Sequence, residues 1–303
     1  MREMLSTREV ADYLRLKERK IYALVADGEI PHSRISGKLL FPRALIDEWV
    51  RRGMRGAPAH LSRQAPAVIA GSHDPLLEWA VRESRCGLAL LTYGTMDGVD
   101  RILAGSACAT AMHLPPRAGM GNDSATGDDD GPNVALARAR LAHLDCALIR
   151  WATREQGLVV ARGNPLGIAK LVDLRRKKTR VVLRQSGAGS QLLMLQLLAD
   201  ADVDSASLNV IRPPAQTESE VAAAILDGRA DVGLAVRAVA QAFHLDFLPL
   251  ATESLDIAVL RPSWFDDPMQ RLFRFASGAT FRKHAKTLAG YDVSTLGQVQ
   301  WNA

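Results

Sequence analysis

The sequence predicts an α/β protein in two parts, a small helical unit with a hairpin followed by a larger two-lobed α/β body. The 303 residues are 48% hydrophobic and 23% charged, a globular composition whose length corresponds to roughly two domains. Helical periodicity and a hairpin signal fill the first 52 residues, and short β-rich runs then alternate with helical stretches, as in a parallel α/β sheet. A disordered chain and a mini-protein are excluded.

Positive charge is concentrated at the start of the chain. Residues 1–65 hold 13 basic and 8 acidic side chains, whereas the remaining residues hold 25 of each, so the net charge of +5 lies entirely in the first fifth. A basic segment attached to a neutral body predicts a polyanionic partner for that segment.

The three cysteines, Cys86, Cys108 and Cys146, are an odd number without close spacing. This pattern favours neither a disulfide framework nor a metal knuckle, and it fits a reducing compartment. The N-terminus is charged where a signal peptide would be apolar, and no run approaches the roughly 18 apolar residues of a membrane span. We therefore expect a soluble, cytoplasmic protein without a membrane partner, metal or cofactor.

Two short helices open the chain. Ser6 followed by Glu9 is a capping box that begins the first helix. The second helix is predicted from about Lys17, and Gly28 lies where a left-handed C-cap is expected. Together they form a helix-turn-helix.

A hairpin and a third helix complete the first domain, predicted at residues 1–52. Residues 36–38 (Ser-Gly-Lys) make the tight turn between two short strands, and Pro42 opens the third helix. Glycine, proline and a lack of apolar periodicity indicate a linker over residues 53–66.

The body, residues 67–303, contains repeated strand and helix signals. The apolar runs are VIAG, LALLTYG, SACATAMHL, GLVVARG, RVVLRQSG, DVGLAV and LDIAVLRP. A motif that ends a helix and enters a strand occurs at residues 103–107 and again 123 residues later, at 226–230. This repeat favours two lobes with two sheets rather than one. Residues 119–133, rich in glycine and acidic residues, are predicted to be an exposed loop.

The second helix carries the cations of a candidate DNA reader. The start of that helix meets base edges in a helix-turn-helix, and flanking cations meet phosphates. A solvated surface helix is the alternative for Lys17 to Lys20 taken alone. The predicted DNA-binding residues are Arg15, Lys17, Arg19, Lys20, Tyr22, Arg34 and Lys38.

The segment LSTREVADYLRLKERKIYALVADGEIPHSRISGKLLFPRALIDEWV resembles the excisionase-like (MerR-type) helix-turn-helix family throughout. The resemblance implies a winged helix that binds duplex DNA, with Arg34 and Lys38 on the wing. A unit of this size covers only roughly 600 to 1,000 Å² of surface on DNA, so we expect a homodimer or higher oligomer.

Polar turns that follow strands and precede helices form a candidate anion site in the body. Ligands bind at such places in open α/β sheets, because helix N-termini present unpaired N–H groups to anions. The alternative is that Ser72, Thr95 and Thr217 are only N-caps; His113 is expected to satisfy a core hydrogen bond. The candidate ligand residues are Ser72, His73, Tyr93, Gly94, Thr95, Arg184, Ser186, Gly187, Gly189, Ser190, Thr217 and Glu218.

The body also resembles a known family. GSHDPLLEW, TYGTMDGVDRILAGSACATAMHL, LRQSGAGSQLL and ESEVAAAILDGRADVGLAV resemble the periplasmic-binding-protein-like (type II) domain of cytoplasmic regulators. That family is similar to the tungstate and molybdate receptors, in which an arginine at the position of Arg184 contributes to oxyanion binding. The resemblance implies lobe I at about 67–155 and 252–303 and lobe II at about 156–251.

Three positions depart from the family. Cys108 replaces a frequent aspartate that Asp231 keeps in the second copy of the motif, and residues 187–191 lack a cation that relatives carry there. Arg237, where an acidic residue is more common, is expected to restore that cation as a ligand residue.

Three functions follow in order of preference. The first is a one-component transcription regulator that closes its lobes on an oxyanion, molybdate or tungstate. The second keeps this architecture but senses a small organic acid or cofactor precursor. The third, an enzyme of molybdenum-cofactor metabolism, is least favoured, because the sequence has no Ser-His-Asp spacing, metal-ligand cluster, Walker loop or Rossmann fingerprint. No catalytic residue is predicted.

Overall fold

The structure is a computed structural model that describes residues 4–53, 65–115 and 131–303. It divides into two compact units, Met1–Gln64 and Ala65–Ala303. Most of the predicted linker, residues 54–64, lies outside the described residues.

The N-terminal unit is a three-helix domain with a small antiparallel sheet. Its capping box at Ser6 and Glu9 and the positive φ of Gly28 (+68°) are both as predicted. The strand order is β1-β3-β2, and Val10, Ile21, Phe41 and the rest of one apolar cluster form its core. The elements are β1 Met4–Ser6, α1 Thr7–Leu14, α2 Glu18–Ala26, β2 Ser33–Ile35, β3 Lys38–Pro42 and α3 Arg43–Gly53.

Two details of this unit differ from the prediction. Pro42 is the last residue of β3 rather than the first of the helix, because it is still the register partner of Met4 across the sheet. Strand β1 itself was not predicted, since three residues are too few for an alternating pattern to show.

The second unit contains the other nine helices and ten strands of the described residues. The strands are β4 Val68–Gly71, β5 Ala89–Leu91, β6 Ala109–Met112, β7 Cys146–Val160, β8 Arg180–Val182, β9 Asn209–Val210, β10 Val232–Val236, β11 Asp246–Leu260, β12 Tyr291–Asp292 and β13 Val299–Asn302. The helices are α4 Pro75–Ser84, α5 Thr95–Leu103, α6 Pro132–Leu141, α7 Gly189–Asp200, α8 Glu218–Leu226, α9 Arg237–Ala242, α10 Arg261–Trp264, α11 Asp267–Ala276 and α12 Ala279–Thr287.

The expectation of two parallel sheets is wrong. One mixed sheet has the order β5-β4-β6-β11-β7-β10-β8-β9, with β12 and β13 also paired to β7. Its centre is the antiparallel pair β7 and β11, each 15 residues long, which runs through both halves of the unit and joins their hydrogen-bonded ladders. Separate apolar clusters still pack on either side, around Trp151 in one half and around Leu234 in the other.

The internal repeat of the sequence corresponds to a repeated structural step. Helices α5 and α8 end at Leu103 and Leu226, and each is followed by a glycine with positive φ, Gly105 and Gly228. A buried strand then begins within a few residues in both halves.

The predicted acidic loop is only partly within the described residues. Residues 119–130 lie outside them, and Pro132 and Asn133 belong to helix α6, so the loop is shorter than predicted. Within the described ranges, none of the helices has both the length and the apolar character that crossing a bilayer requires.

Candidate ligand site and candidate DNA interface

Three corners of the first lobe meet through hydrogen bonds at the carboxyl ends of its strands. Ser72 follows β4, Thr95 begins α5, and His113 follows β6. The Ser72 and Thr95 hydroxyl oxygens are 2.8 Å apart, and Thr95 donates to the carbonyl of His113 at 3.0 Å. All three residues are buried.

The glycine corner of the second lobe packs directly against these residues. A Cβ placed on Gly94 would lie 3.0 Å from the carbonyl oxygen of Gly187. A Cβ on Gly189 would lie only 2.4 Å from the His113 ring and 2.3 Å from its carbonyl oxygen. Glycine is therefore needed at both positions for the two lobes to approach this closely.

Side chains of the two long strands form ion pairs between the lobes. Arg154 and Glu253 are register partners on β7 and β11, and Arg154 Nε donates to Glu253 Oε1 at 2.7 Å. Arg154 Nη1 donates to Asp74 Oδ2 at 2.7 Å, and the Tyr291 hydroxyl donates to the same oxygen at 2.6 Å. Arg154 is completely enclosed, with an exposed fraction of 1%.

The side-chain amide of Gln156 connects these ion pairs to the second lobe. Gln156 Nε2 donates to Glu253 Oε1 at 3.0 Å and to Glu218 Oε1 at 3.1 Å. Glu218 lies at the start of α8, and its other oxygen accepts from the backbone N–H of Val236 at 2.9 Å. The network thus joins both lobes through the central strands.

The side chains that meet between the lobes form an interlobe cluster of His73, Asp74, His113, Arg154, Gln156, Ser190, Glu218, Glu253 and Tyr291. This cluster contains most of the unsatisfied buried polar atoms of the second unit. Among the described residues, nine buried side-chain nitrogen or oxygen atoms have no hydrogen-bond partner, and seven of them belong here. They are His73 Nδ1, His113 Nδ1 and Nε2, Arg154 Nη2, Gln156 Oε1, Ser190 Oγ and Glu253 Oε2. Because native proteins rarely leave such atoms unpaired, their concentration at one place indicates a site for a polar solute.

Burial also shifts the protonation equilibria of this cluster. Desolvation holds the pKa of His113 well below its usual value, so the ring is neutral at pH 7. Desolvation raises the pKa of the Glu253 carboxyl, although the Arg154 guanidinium opposes that change. Burial lowers the pKa of Arg184, and nearby Glu218 opposes that shift.

Some of the residues predicted as ligands lie outside the interlobe cluster. Tyr93 is 57% exposed and its ring lies against Arg101, and Ser186 is exposed. Thr217 is an N-cap, since its hydroxyl accepts from the N–H of Glu220 at 3.1 Å. The role of these three residues in ligand binding stays a prediction.

Arg237 also lies outside the cluster. It forms an ion pair with Glu155 and lies over the Phe247 ring at 4.6 Å, so its charge does not replace a cation in the cluster. Arg184 is buried, and it donates to the carbonyl of Gln216 at 2.9 Å and to Gln185 at 3.1 Å.

Sequence reasoning missed the residues at the centre of the site. They are Asp74, His113, Arg154, Gln156, Glu253 and Tyr291. The expectation of a core hydrogen bond for His113 is wrong, because neither ring nitrogen has a partner among the described residues. The available signal was the polar run at residues 153–156 in the middle of β7, with 154 and 156 on one face.

The N-terminal unit presents its predicted DNA-binding residues to solvent. Arg15, Lys17, Arg19, Lys20, Arg34 and Lys38 are exposed, and Tyr22 on α2 is 53% exposed. A groove of about 590 Å³ is lined by Tyr22 from α2 and by Arg34 and Lys38 from the β2–β3 hairpin. Tyr22 of the helix and the two hairpin cations therefore line one groove.

Comparison with known proteins agrees with both units. Residues 4–54 match the model of a helix-turn-helix domain, and residues 78–277 match that of a PBP superfamily domain. An uncharacterized protein of Bacillus subtilis, YvgK, is 24% identical and covers 96% of each chain. The predicted fusion of a helix-turn-helix unit with a binding-protein-like body is thus confirmed.

One solved structure supports the fold of the body, and a second is reported beside it. The tungstate ABC transporter of Geobacter sulfurreducens is 17% identical, with a TM-score of 0.50, over 71% of this chain and 95% of that one. The sulfate-binding protein SubI of Mycobacterium tuberculosis is 15% identical, with a TM-score of 0.49, over 74% and 85%. At these identities the likeness concerns fold alone. Since the matched model covers about two thirds of its length, the chain belongs to the PBP superfamily.

Proposed function

We propose that this protein is a ligand-responsive DNA-binding regulator, in which a small solute bound between the lobes changes how the helix-turn-helix unit binds duplex DNA. The observation that carries the proposal is the set of seven unpartnered buried polar atoms between the lobes of a chain that also has a basic helix-turn-helix unit. A helix-turn-helix fused to a binding-protein domain is an architecture typical of non-enzymatic regulators.

An anionic group on the solute is supported by the donors of the cluster. Arg154 Nη2 and the Ser190 hydroxyl have no partner among the described residues, and Arg184 is buried nearby at the glycine corner. Such donors bind oxyanions and carboxylates alike. Molybdate or tungstate, from the family resemblance, and a small organic acid are therefore both candidates for the effector.

Regulation requires unequal affinity of the solute for two states of the body. A solute that contacts both lobes stabilises the closed arrangement, in which Gly94 and Gly189 lie against the opposite lobe. We expect a homodimer to bind two half-sites on DNA, because one unit of this size covers little of the duplex.

The proposal is tested first on DNA. The full chain should enrich particular duplex sequences from a random library, and a variant with Arg19→Ala and Lys20→Ala should not. Absence of enrichment by the natural protein would contradict the DNA-binding part of the proposal.

Ligand response is then measured with the enriched duplex. A solute that stabilises the protein against heat should also change its affinity for that duplex in fluorescence anisotropy, because the two equilibria are linked. A stabilising solute that leaves DNA affinity unchanged would contradict the regulatory part. Chloride at equal ionic strength controls for screening by salt.

A further inference from the structure

We infer that the effector is a small zwitterion, a molecule with an anionic oxygen group and a cationic nitrogen donor, rather than a tetrahedral metal oxyanion. This inference rests on the proposed function, because it concerns the chemistry of the same interlobe cluster.

The hydroxyl groups of the first lobe have no proton to offer an oxyanion. Thr95 donates its only hydroxyl proton to the carbonyl of His113 at 3.0 Å. The Ser72 hydroxyl, 2.8 Å from the Thr95 oxygen, must then be the donor in that pair. The Thr95 oxygen also accepts from the backbone N–H of His113 at 3.3 Å, so both of its lone pairs are used. The Ser72 oxygen is left with lone pairs only, and neither hydroxyl has a proton for a deprotonated oxyanion.

Two of the unpartnered buried atoms are acceptors. Gln156 Oε1 has no partner, since the amide nitrogen makes the contacts to Glu218 and Glu253. Glu253 Oε2 also has none, because Arg154 and Gln156 both donate to Oε1. These residues are at most 4% exposed. A solute without donors would leave both oxygens buried and unpaired, at a cost that a donor group removes.

The unpartnered donors lie among the same residues. Arg154 Nη2 and Ser190 Oγ are buried and without partners in the described chain. Arg154 also carries the contacts to Glu253 and Asp74, so it adjoins the acceptors. A bound molecule thus meets donors and acceptors together, which matches a carboxylate and an ammonium separated by a short linker.

The charge balance favours a cationic nitrogen as the donor. Two buried arginines, Arg154 and Arg184, stand against three buried carboxylates, Asp74, Glu218 and Glu253. Adding a dianion such as molybdate would raise the excess negative charge from one to three in a desolvated place, whereas a zwitterion leaves it at one. Close matching of buried charge is what such an interior requires.

The test is a thermal-shift panel on the full natural chain. It contains the twenty standard amino acids and γ-aminobutyrate, each beside the acid in which hydrogen or hydroxyl replaces the amine, together with molybdate, tungstate, sulfate and phosphate. We expect at least one zwitterion to raise the melting temperature by about 3 °C or more at saturation, and its amine-free counterpart to have no effect.

Glu253→Gln sharpens the test, because the amide keeps an acceptor for Arg154 but replaces the free acceptor by a donor. We expect at least tenfold weaker binding of the zwitterion and measurable binding of sulfate. Glu155→Gln is the matched control: it alters a neighbouring carboxylate of the same strand that pairs with Arg237, outside the cluster. Ser190→Ala, which removes one donor, should weaken the zwitterion if Glu253→Gln does not fold.

Several results would overturn the inference. One such result is stabilisation of the natural chain by molybdate, tungstate or sulfate and by no zwitterion. Stabilisation by phosphate alone is another, because phosphate carries a proton but no cationic nitrogen. Equal stabilisation by an amino acid and its amine-free counterpart, or no stabilisation by any zwitterion, would also overturn the inference. The DNA enrichment measured for the proposed function does not depend on any solute. A negative thermal-shift panel together with DNA enrichment would therefore reject the zwitterion and keep the DNA-binding part of the proposed function.

Discussion

Gly189 is a residue at which the second lobe lies directly against the first. The position that a methyl group would occupy lies 2.3 Å from the His113 carbonyl oxygen, inside any acceptable contact distance, and a backbone atom cannot move aside as a flexible side chain could. At the scale of single residues, this glycine decides whether the closed arrangement can form.

Gly189→Ala should therefore destabilise the closed body by about 1–3 kcal/mol through overpacking. Urea unfolding measures the loss, and small-angle X-ray scattering should show a larger radius of gyration than that of the natural chain. Gly131→Ala is the control, because a methyl group there meets nothing within 4 Å and its φ is ordinary. A compact Gly189→Ala protein with unchanged stability would contradict the contact.

His113 gives a prediction about pH. Its pKa is held well below 6.5 by burial, with Arg154, Arg184 and His73 acting in the same direction and Glu253 Oε1 3.8 Å away. In the unfolded chain the ring titrates near 6.5. The unfolded state therefore binds more protons below that value, so the group's contribution is intact above pH 6.5 and stability falls as the pH drops towards the folded-state pKa.

The free energy of unfolding should fall by up to about 1.4 kcal/mol per pH unit below pH 6.5 because of this one group. Urea titrations between pH 5.5 and 7.5 measure it, and the slope should be smaller in His113→Gln. His143→Gln, which changes an exposed ring, should leave the slope as it is. Equal slopes in all three proteins would show that His113 is not held in its neutral form by burial.

Local residue patterns were readable from the sequence, and distant partners were not. The Ser6–Glu9 capping box, Gly28 and the Thr217 cap depend on neighbours within four residues. The pairing of Arg154 with Asp74 and Glu253 joins positions 80 and 99 residues apart, and no local pattern specifies such a contact. The centre of the site was therefore missed while its corners were placed on the correct turns.

At the scale of elements, the two long strands β7 and β11 do most to position the site. They carry Arg154, Gln156 and Glu253 between the lobes and are hydrogen-bonded along their whole length. Periodicity predicted only their apolar ends, GLVVARG and LDIAVLRP, because the polar residues in the middle interrupt the apolar pattern by which strands are recognised. The polar side chains in the middle therefore hid the strands.

Strand β12 and Gly290 before it contribute two hydrogen bonds beside these residues. Tyr291 donates to Asp74, and the backbone N–H of Glu155 on β7 donates to the carbonyl of Gly290 at 2.9 Å. Burial and the Asp74 carboxylate both raise the pKa of the Tyr291 phenol, so it remains a donor at neutral pH.

Tyr291→Phe should cost about 1.5–3 kcal/mol, the range for a buried hydrogen bond to a charged acceptor. Calorimetry of the full chain measures the change. Tyr93→Phe removes an exposed hydroxyl in the same lobe and should change stability by less than about 0.5 kcal/mol. Equal effects of the two substitutions would mean that the Asp74 contact contributes little.

At the scale of the whole molecule, charge is divided between the two units. The excess of basic residues lies in the first 65 positions, and the cations of α2 and of the hairpin are exposed. The body, with equal numbers of basic and acidic residues, adds no comparable attraction for a polyanion. Composition alone was sufficient for this division, because a sum of charges does not depend on how the chain folds.

Salt dependence of DNA binding tests this division directly. Each phosphate neutralised by a side chain contributes about 0.9 to the slope of log affinity against log salt concentration. If Arg19 and Lys20 contact phosphates, their joint replacement by alanine should lower that slope by about 1.8. Lys177→Ala with Lys178→Ala removes two exposed cations from the other unit and should leave the slope unchanged. A reduced slope in this control, with none in the first variant, would assign DNA binding to the body instead of the N-terminal unit.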